Sequence, residues 1–311
     1  MLALTLNGYD GIASLKLAQV PAPEPRPNEV IVAIRAASVN PVDAKIAQGY
    51  ARSRMELKFP HVLGRDGSGV VVKIGPEVTA LKVGDEVYGA GDQTRWGTHA
   101  EQVAIDPATL AHKPKSLDHV AAASLPIAAL SAWAGIVSAG EVKAGQKVLI
   151  HAGAGGVGSL AIQIAKHLGA YVATTAGPRN LEFVRSLGAD LAIDYTTSDF
   201  STAIKDYDLV FDLMGGDVRF RSFPVLRPGG VITHISVPPM TQAPPRTDVT
   251  VKAAAVSYET PLLDRITALV DTGALKPVVG EVFPFGEAID AYRSVMTGHT
   301  RGKIVLRMAA G

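Results

Sequence analysis

Lys147–Ala170, KVLIHAGAGGVGSLAIQIAKHLGA, reads as a strand, a glycine-rich turn and an amphipathic helix in direct succession. Val148, Leu149 and Ile150 make a short apolar run of the kind buried on both faces of a parallel sheet. Gly153, Gly155 and Gly158 then fall on the spacing G-x-G-x-x-G. That spacing lets the backbone turn tightly, approach a pyrophosphate with no Cβ in the way and bring helix close to strand. Val157, Leu160, Ala161, Ile164, Ala165 and Leu168 recur at helical spacing and define one buried face. A helix beginning at such a turn leaves its first N–H groups unpaired and aims the positive end of its dipole at the loop, so a phosphate there is held by backbone alone. Glycine-rich loops are common in a chain with 31 Gly. The strand before and the helix after are what make this one a dinucleotide site.

The next strand, Tyr171 to Thr175, selects the dinucleotide. A carboxylate near its end, about 20 residues past the first glycine, would hydrogen-bond the ribose hydroxyls of NAD. No acid occurs between Gly158 and Glu182. Thr174 and Thr175 stand at that end, Arg179 follows in the loop and Asn180 is placed to cap the next helix, so hydroxyls and a cation meet the position of a 2′-phosphate. The expectation is NADPH rather than NADH. Taken alone, Arg179 reads equally well as a solvated residue at a helix start; the missing acid is the stronger signal.

A chain of 311 residues is long enough for two lobes. Its 30 basic and 29 acidic residues leave a formal charge of +1, which gives no field for steering nucleic acid or an anionic membrane. Zero Cys removes disulfides, thiolate nucleophiles and Cys-ligated zinc, and suits a reducing compartment. The first residues, MLALTLNGYD, lack a basic n-region and a cleavable apolar segment, so the expected location is cytoplasmic. Val120 to Gly140 carries no charge and is long enough to span a bilayer, yet alanine, serine and glycine dominate it and Pro126 interrupts it. It reads as a buried helix with small residues at a close contact.

In chain order, Met1 to Val20 suggests short strands with turns at Asn7-Gly8 and Asp10-Gly11. Val30 to Ala37 is a strong strand, Asn40-Pro41 ends it, and Asp43 is placed to start a helix leading to Gly49-Tyr50. Successive strands from Val62 to Gly89 make the first third mostly β, a barrel-like lobe. After Lys113-Pro114, helices alternate with short strands at 147–151, 171–175, 191–193, 208–213 and 231–236, the signature of a parallel sheet. Pro228-Gly229-Gly230 reads as a turn before a strand ending in Ser236 at the carboxyl edge of that sheet, which makes Ser236 a further cofactor candidate. The fold class is α/β: a doubly wound Rossmann sheet at 118–269 with a β-rich lobe at 1–117 and 270–311.

ASVNPVDAKI at 37–46, VLGRDGSGVVVKIGPEVTALKVGDEVYG at 62–89, AAASLPIAALSAW at 121–133, HAGAGGVG at 151–158, FVRSLGAD at 183–190, LRPGG at 226–230 and TRGKIVL at 300–306 follow one another in an order that resembles the medium-chain dehydrogenase/reductase superfamily, and within it the zinc-free quinone oxidoreductases similar to zeta-crystallin. The resemblance covers nearly the whole chain and implies a GroES-like fold for the β-rich lobe. It also implies NADPH as cofactor, a quinone or enone substrate, and a homodimer paired through the last strand of the nucleotide sheet, near Val249 to Val256. It places Asn40, Asp43 and Ser131 by the nicotinamide half, with Lys303 closing the site from the tail. Gly156 and Val157 fall on the pyrophosphate, and Thr175, Arg179 and Tyr195 at the 2′-phosphate. Zinc-dependent relatives would carry a His-Glu pair where this chain has Arg65 and Asp66. With no cysteine and eight scattered histidines, no metal-ligand set is expected, and His151 reads as a packed core histidine.

Without a metal to polarise a carbonyl, substrates that accept hydride readily make sense. Quinones and α,β-unsaturated carbonyls delocalise the incoming charge onto a distant oxygen, so the protein's task is to stack nicotinamide and acceptor at reaction distance. Tyr50, at the end of the segment that begins with the catalytic candidate Asn40, is a candidate proton donor, or else an amphipathic tyrosine that only lines the site. Asp43 alternatively orients Lys45 or caps a helix. An enoyl-thioester reductase and a non-catalytic NADPH-binding sensor are the competing readings.

Overall fold

The computed structural model describes every residue except Arg54, Gln93, Ser236, Val237, Pro239, Thr241, Ala310 and Gly311. The chain divides into two compact units. The first holds Met1–Ile127, Tyr258–Thr272 and Pro277–Gly311, and the second Ala128–Ser257 and Gly273–Lys276.

In the first unit, β1 (Leu2–Leu6) pairs antiparallel with β2 (Leu15–Gln19), as the alternating N-terminal pattern and its turn residues require. The long strand β3 (Val30–Val39) follows, then the two-residue β4 (His61–Val62), which pairs with β1. β5 (Asp66–Ile74), β6 (Glu86–Ala90), β7 (Gln102–Ile105) and β8 (Leu110–His112) complete the run. The inward faces of these strands and the helix Ala288–Met296 enclose one apolar core that includes Leu4, Val32, Val71, Val87, Tyr292 and Leu306. Helix Thr260–Asp271 belongs to this unit because Tyr88 donates its hydroxyl to Leu263 O at 2.8 Å, while Thr260 Oγ1 donates to Leu110 O at 2.7 Å.

The second unit is a parallel sheet of β9 (Lys147–Ile150), β10 (Tyr171–Ala176), β11 (Leu191–Asp194), β12 (Tyr207–Asp212), β13 (Leu226–His234) and β14 (Thr250–Ala253) in the order β11-β10-β9-β12-β13-β14. Strand order reverses at β9, and ligands of such sheets bind outside the carboxyl ends of the strands near that switch. The tail 273–276 is held here by Gln163, whose amide exchanges hydrogen bonds of 3.0 and 2.8 Å with the backbone of Lys276. The chain's last strands, β15 (Val279–Pro284) and β16 (Lys303–Arg307), return to the first unit and close its seven-stranded sheet, with β16 antiparallel to β3.

Three local expectations change. LRPGG is not a turn before a strand: β13 already begins at Leu226 and accommodates Gly229 at a φ of 74° through a register shift against β12. Asp43 does not start its helix either. Asn40 is the N-cap of helix Pro41–Ala47, and Asp43 sits at its third position, where its carboxylate accepts the Asn40 N–H at 2.8 Å. The uncharged segment after Val120 is broken into helix His119–Ala123, helix Pro126–Trp133 and a π-helical turn at Ala134–Ser138. A Cβ on Gly135 would collide with the ring of Phe211, the close contact its small residues suggested. Among the described residues no helix is long and apolar enough to cross a membrane.

Candidate functional site

β9 carries the chain into the glycine turn. His151 leaves the strand buried, its ring set against Thr175 Oγ1 at 3.1 Å and Ser222 Oγ at 2.9 Å, edge-on to Phe200. Burial pushes its imidazole down to about 4, so it packs as a neutral core histidine. Ala152 adopts a φ of 51°, and its carbonyl accepts the Gly155 N–H at 3.0 Å. A Cβ on Gly153 would meet the Thr174 side chain, and one on Gly158 would meet the Ala152 carbonyl, so these two glycines let helix and strand approach. Gly155 is the N-cap of helix Gly156–His167, whose first turn holds no acid. Ser159 donates to Gly155 O at 2.9 Å, which leaves the N–H groups of Gly156, Val157 and Gly158 ahead of that bond. Donors, a bare backbone and a positive dipole end together fit a pyrophosphate.

At the end of β10 the two threonines turn inward. Thr174 is buried and donates to Ile150 O at 2.7 Å; Thr175 is buried beside His151 and accepts the Ala152 N–H at 3.3 Å. Their hydroxyls brace the turn and are not held out toward a 2′-phosphate. Arg179 and Tyr195 remain at the surface. Tyr195 is 55% exposed and packs against Gly177, the residue before the short 3₁₀ turn Pro178–Asn180 that carries Arg179. Asp194 lies opposite Ala176 in the register. Its carboxylate is taken up by the Thr196 hydroxyl and N–H at 2.7 and 2.9 Å, which hold it below the usual carboxylate range.

Two further features of this sheet edge had no signal in the sequence. Asp212, ending β12, accepts from Met214 N, Gly215 N and Arg219 Nε at 2.9, 2.8 and 2.7 Å. Arg219 Nη2 and Thr233 Oγ1 are buried with no partner among the described residues. Ser131 is buried in its helix, and Ser236 lies outside the described residues.

The first unit gathers a polar cluster from distant parts of the chain. Asp66 Oδ1 accepts from Ser38 Oγ at 2.5 Å and Asn40 Nδ2 at 2.8 Å, and Asp66 Oδ2 accepts from Ile127 N at 3.0 Å. Lys303 donates to Asn40 Oδ1. Ser38 O meets His99 Nε2 at 3.0 Å, and His99 Nδ1 meets the Tyr292 hydroxyl at 3.1 Å. All of these residues are buried. Asp43 is buried too, with Oδ1 unpartnered among the described residues. Burial raises its carboxyl above the ordinary range, and burial lowers Lys303 against the opposing pull of Asp66 and Asp43. Asn40, Asp43 and Lys303 are thus brought together, but the Asn40 amide is fully engaged inside the cluster. Tyr50 stands apart at 62% exposure, its ring 5.9 Å from the Lys45 ammonium. The sequence pointed to Asn40, Asp43 and Lys303 and missed Ser38, Asp66, His99 and Tyr292.

Among the described residues no group of three or more His, Asp or Glu side chains is placed to hold a metal ion. A dinucleotide-binding parallel sheet joined in one chain to a β-rich unit defines a class, the two-unit nucleotide-dependent oxidoreductases. Residues 26–116 match the alcohol dehydrogenase GroES-like domain and residues 187–306 the zinc-binding dehydrogenase domain. The chain is similar to the chloroplastic NADPH-dependent alkenal/one oxidoreductase of Arabidopsis thaliana, at 38% identity over 98% of this chain and 79% of that one. It is similar also to the mitochondrial NAD(P)H oxidoreductase RTN4IP1 of Mus musculus, at 36% identity over 91% of this chain and 82% of the relative. Among solved structures, the quinone oxidoreductase from Coxiella burnetii superposes with a TM-score of 0.89 at 34% identity, covering 99% of each chain. The chain belongs to the medium-chain dehydrogenase/reductase superfamily, in its quinone oxidoreductase branch.

Proposed function

We propose that the protein is an NADPH-dependent reductase of quinones and α,β-unsaturated carbonyls that works without a metal. The observation that carries the reading is the glycine turn, whose first helical N–H groups stand ahead of the helix's own bonding, followed in sequence by a strand with no acid before Glu182 and with Arg179 just beyond it. Relatives named for alkenal/one and quinone reduction support the substrate class. Bound NADPH supplies the hydride. Gly155 to Gly158 hold the pyrophosphate; Arg179 and Tyr195 receive the 2′-phosphate, and Thr174 and Thr175 fix the shape of the turn from behind. Asn40, Asp43 and Lys303 act as one rigid buried set that positions the helix beginning at Pro41, and Tyr50, at the end of that segment, is the side chain proposed to hydrogen-bond the reduced acceptor. The absence of Cys and the engagement of Asp66 in the cluster support metal independence.

Stopped-flow oxidation of NADPH against naphthoquinones, enones and enals tests this: turnover with at least one class is expected, and no turnover with any removes the reading. A homodimer in the cytoplasm with no nucleic-acid partner belongs to the same proposal. Light scattering tests the dimer, and cell fractionation the location.

A further inference from the structure

One cation beside the buried cluster, Arg65, is engaged by a tyrosine and, among the described residues, by no carboxylate. Arg65 lies between Gly64 and the buried Asp66, yet the Asp66 carboxylate turns to Ser38, Asn40 and Ile127 N. Successive residues entering a strand project to opposite faces, and among the described residues Arg65 makes no ion pair. Its guanidinium carbon lies 4.7 Å from the centre of the Tyr258 ring, a stacking that fixes the plane of the fork. Burial raises the Tyr258 phenol, with the Arg65 charge acting against that rise. Arg65 Nε is buried and donates to nothing among the described residues, an N–H whose desolvation is offset only when an acceptor arrives. The residue as a whole stays partly exposed, so an acceptor can reach it.

We infer that Arg65 is the catalytic residue that binds the carbonyl oxygen of the acceptor and holds the negative charge that develops there. The assignment deepens the reductase reading and rests on it. Addition of hydride at the β-carbon moves the conjugated π electrons onto the carbonyl oxygen and leaves an enolate. A proton from water at the α-carbon then gives the saturated carbonyl. Arg65 stays protonated throughout and contributes N–H donors, which in a partly desolvated place favour the oxyanion over the neutral carbonyl. Tyr258 keeps those donors in one plane. The substrate class that follows is a planar conjugated carbonyl, whose oxygen meets a planar donor edge.

The test uses 4-nitrophenol, a planar conjugated phenol whose oxyanion absorbs in the visible, and the full-length protein without nucleotide. The wild type is expected to bind the phenolate in preference to the phenol and so lower the apparent pKa of the bound probe. Arg65→Gln should weaken phenolate binding about tenfold and lower kcat for enones roughly a hundredfold, with NADPH affinity unchanged. Arg65→Lys, which keeps the charge and loses the fork, should fall in the middle on both readings. A wild type that does not favour the phenolate overturns the inference, as does an Arg65→Gln protein that binds it as well as wild type. Failure of the reductase reading looks different: the wild type oxidises no NADPH with any acceptor, whatever it does with the phenolate.

Discussion

The two units build their polar sites in opposite ways. In the second, one stretch from His151 to Ser159 makes the site, and its working atoms are backbone N–H groups exposed because glycine leaves them bare. In the first, the atoms are side chains buried together from Ser38, Asn40, Asp43, Asp66, His99, Tyr292 and Lys303. A site made of backbone is broken by adding an atom. A site made of buried charges is broken by taking one away, because the partner left behind stays desolvated.

That contrast is sharpest for Lys303→Met. Removing the ammonium strands Asn40 Oδ1 and leaves the buried Asp43 and Asp66 without its charge; the expected loss is about 3–5 kcal/mol of stability, read from the urea midpoint. A loss within experimental error would show that the cluster is not held by charge. The next effect concerns His151, which supports the backbone site from below. Its imidazole is depressed from 6.5 to about 4 by burial, so its contribution to stability is present above pH 6.5 and is lost as pH falls through about 4. The expected cost of acidification over that window is about 3 kcal/mol. His151→Gln, whose amide keeps polar contacts in reach of Thr175 and Ser222, should flatten the profile, and an unchanged slope would assign acid sensitivity elsewhere.

Adding an atom is tested by Gly158→Ala, whose Cβ would meet the Ala152 carbonyl. NADPH affinity by calorimetry is expected to fall roughly tenfold or more, with little change in binding of 4-nitrophenolate at the other unit. The smallest effect is expected from Arg179→Ala: about a tenfold weaker Kd for NADPH and none for NADH. Equal losses for both nucleotides would take the arginine away from the 2′-phosphate.

The same contrast explains what could be read beforehand. The glycine turn, its strand and its helix were legible because spacing, periodicity and turn chemistry all lie within one short window. Asn40, Asp43 and Lys303 were reached through resemblance rather than through local pattern. Nothing near His99 or Tyr292 announces that their rings meet edge-on 5.6 Å apart, since strand pairing and helix packing far along the chain bring them together. The hydroxyls of Thr174 and Thr175 are hidden from local pattern for a related reason. Their position at a strand end was visible, but the face to which each hydroxyl turns depends on Ile150 and His151 in the neighbouring strand. The LRPGG segment reads as a turn because its glycines permit one, while Leu226 already pairs with Tyr207 of β12 and the next four residues form the irregularity before pairing resumes at Val231.

The most direct measurement is hydride transfer from NADPH to an enone by protein dialysed exhaustively against a chelator. Turnover equal to that of the untreated protein is the predicted result. Turnover that falls to background and returns on addition of zinc would contradict the account.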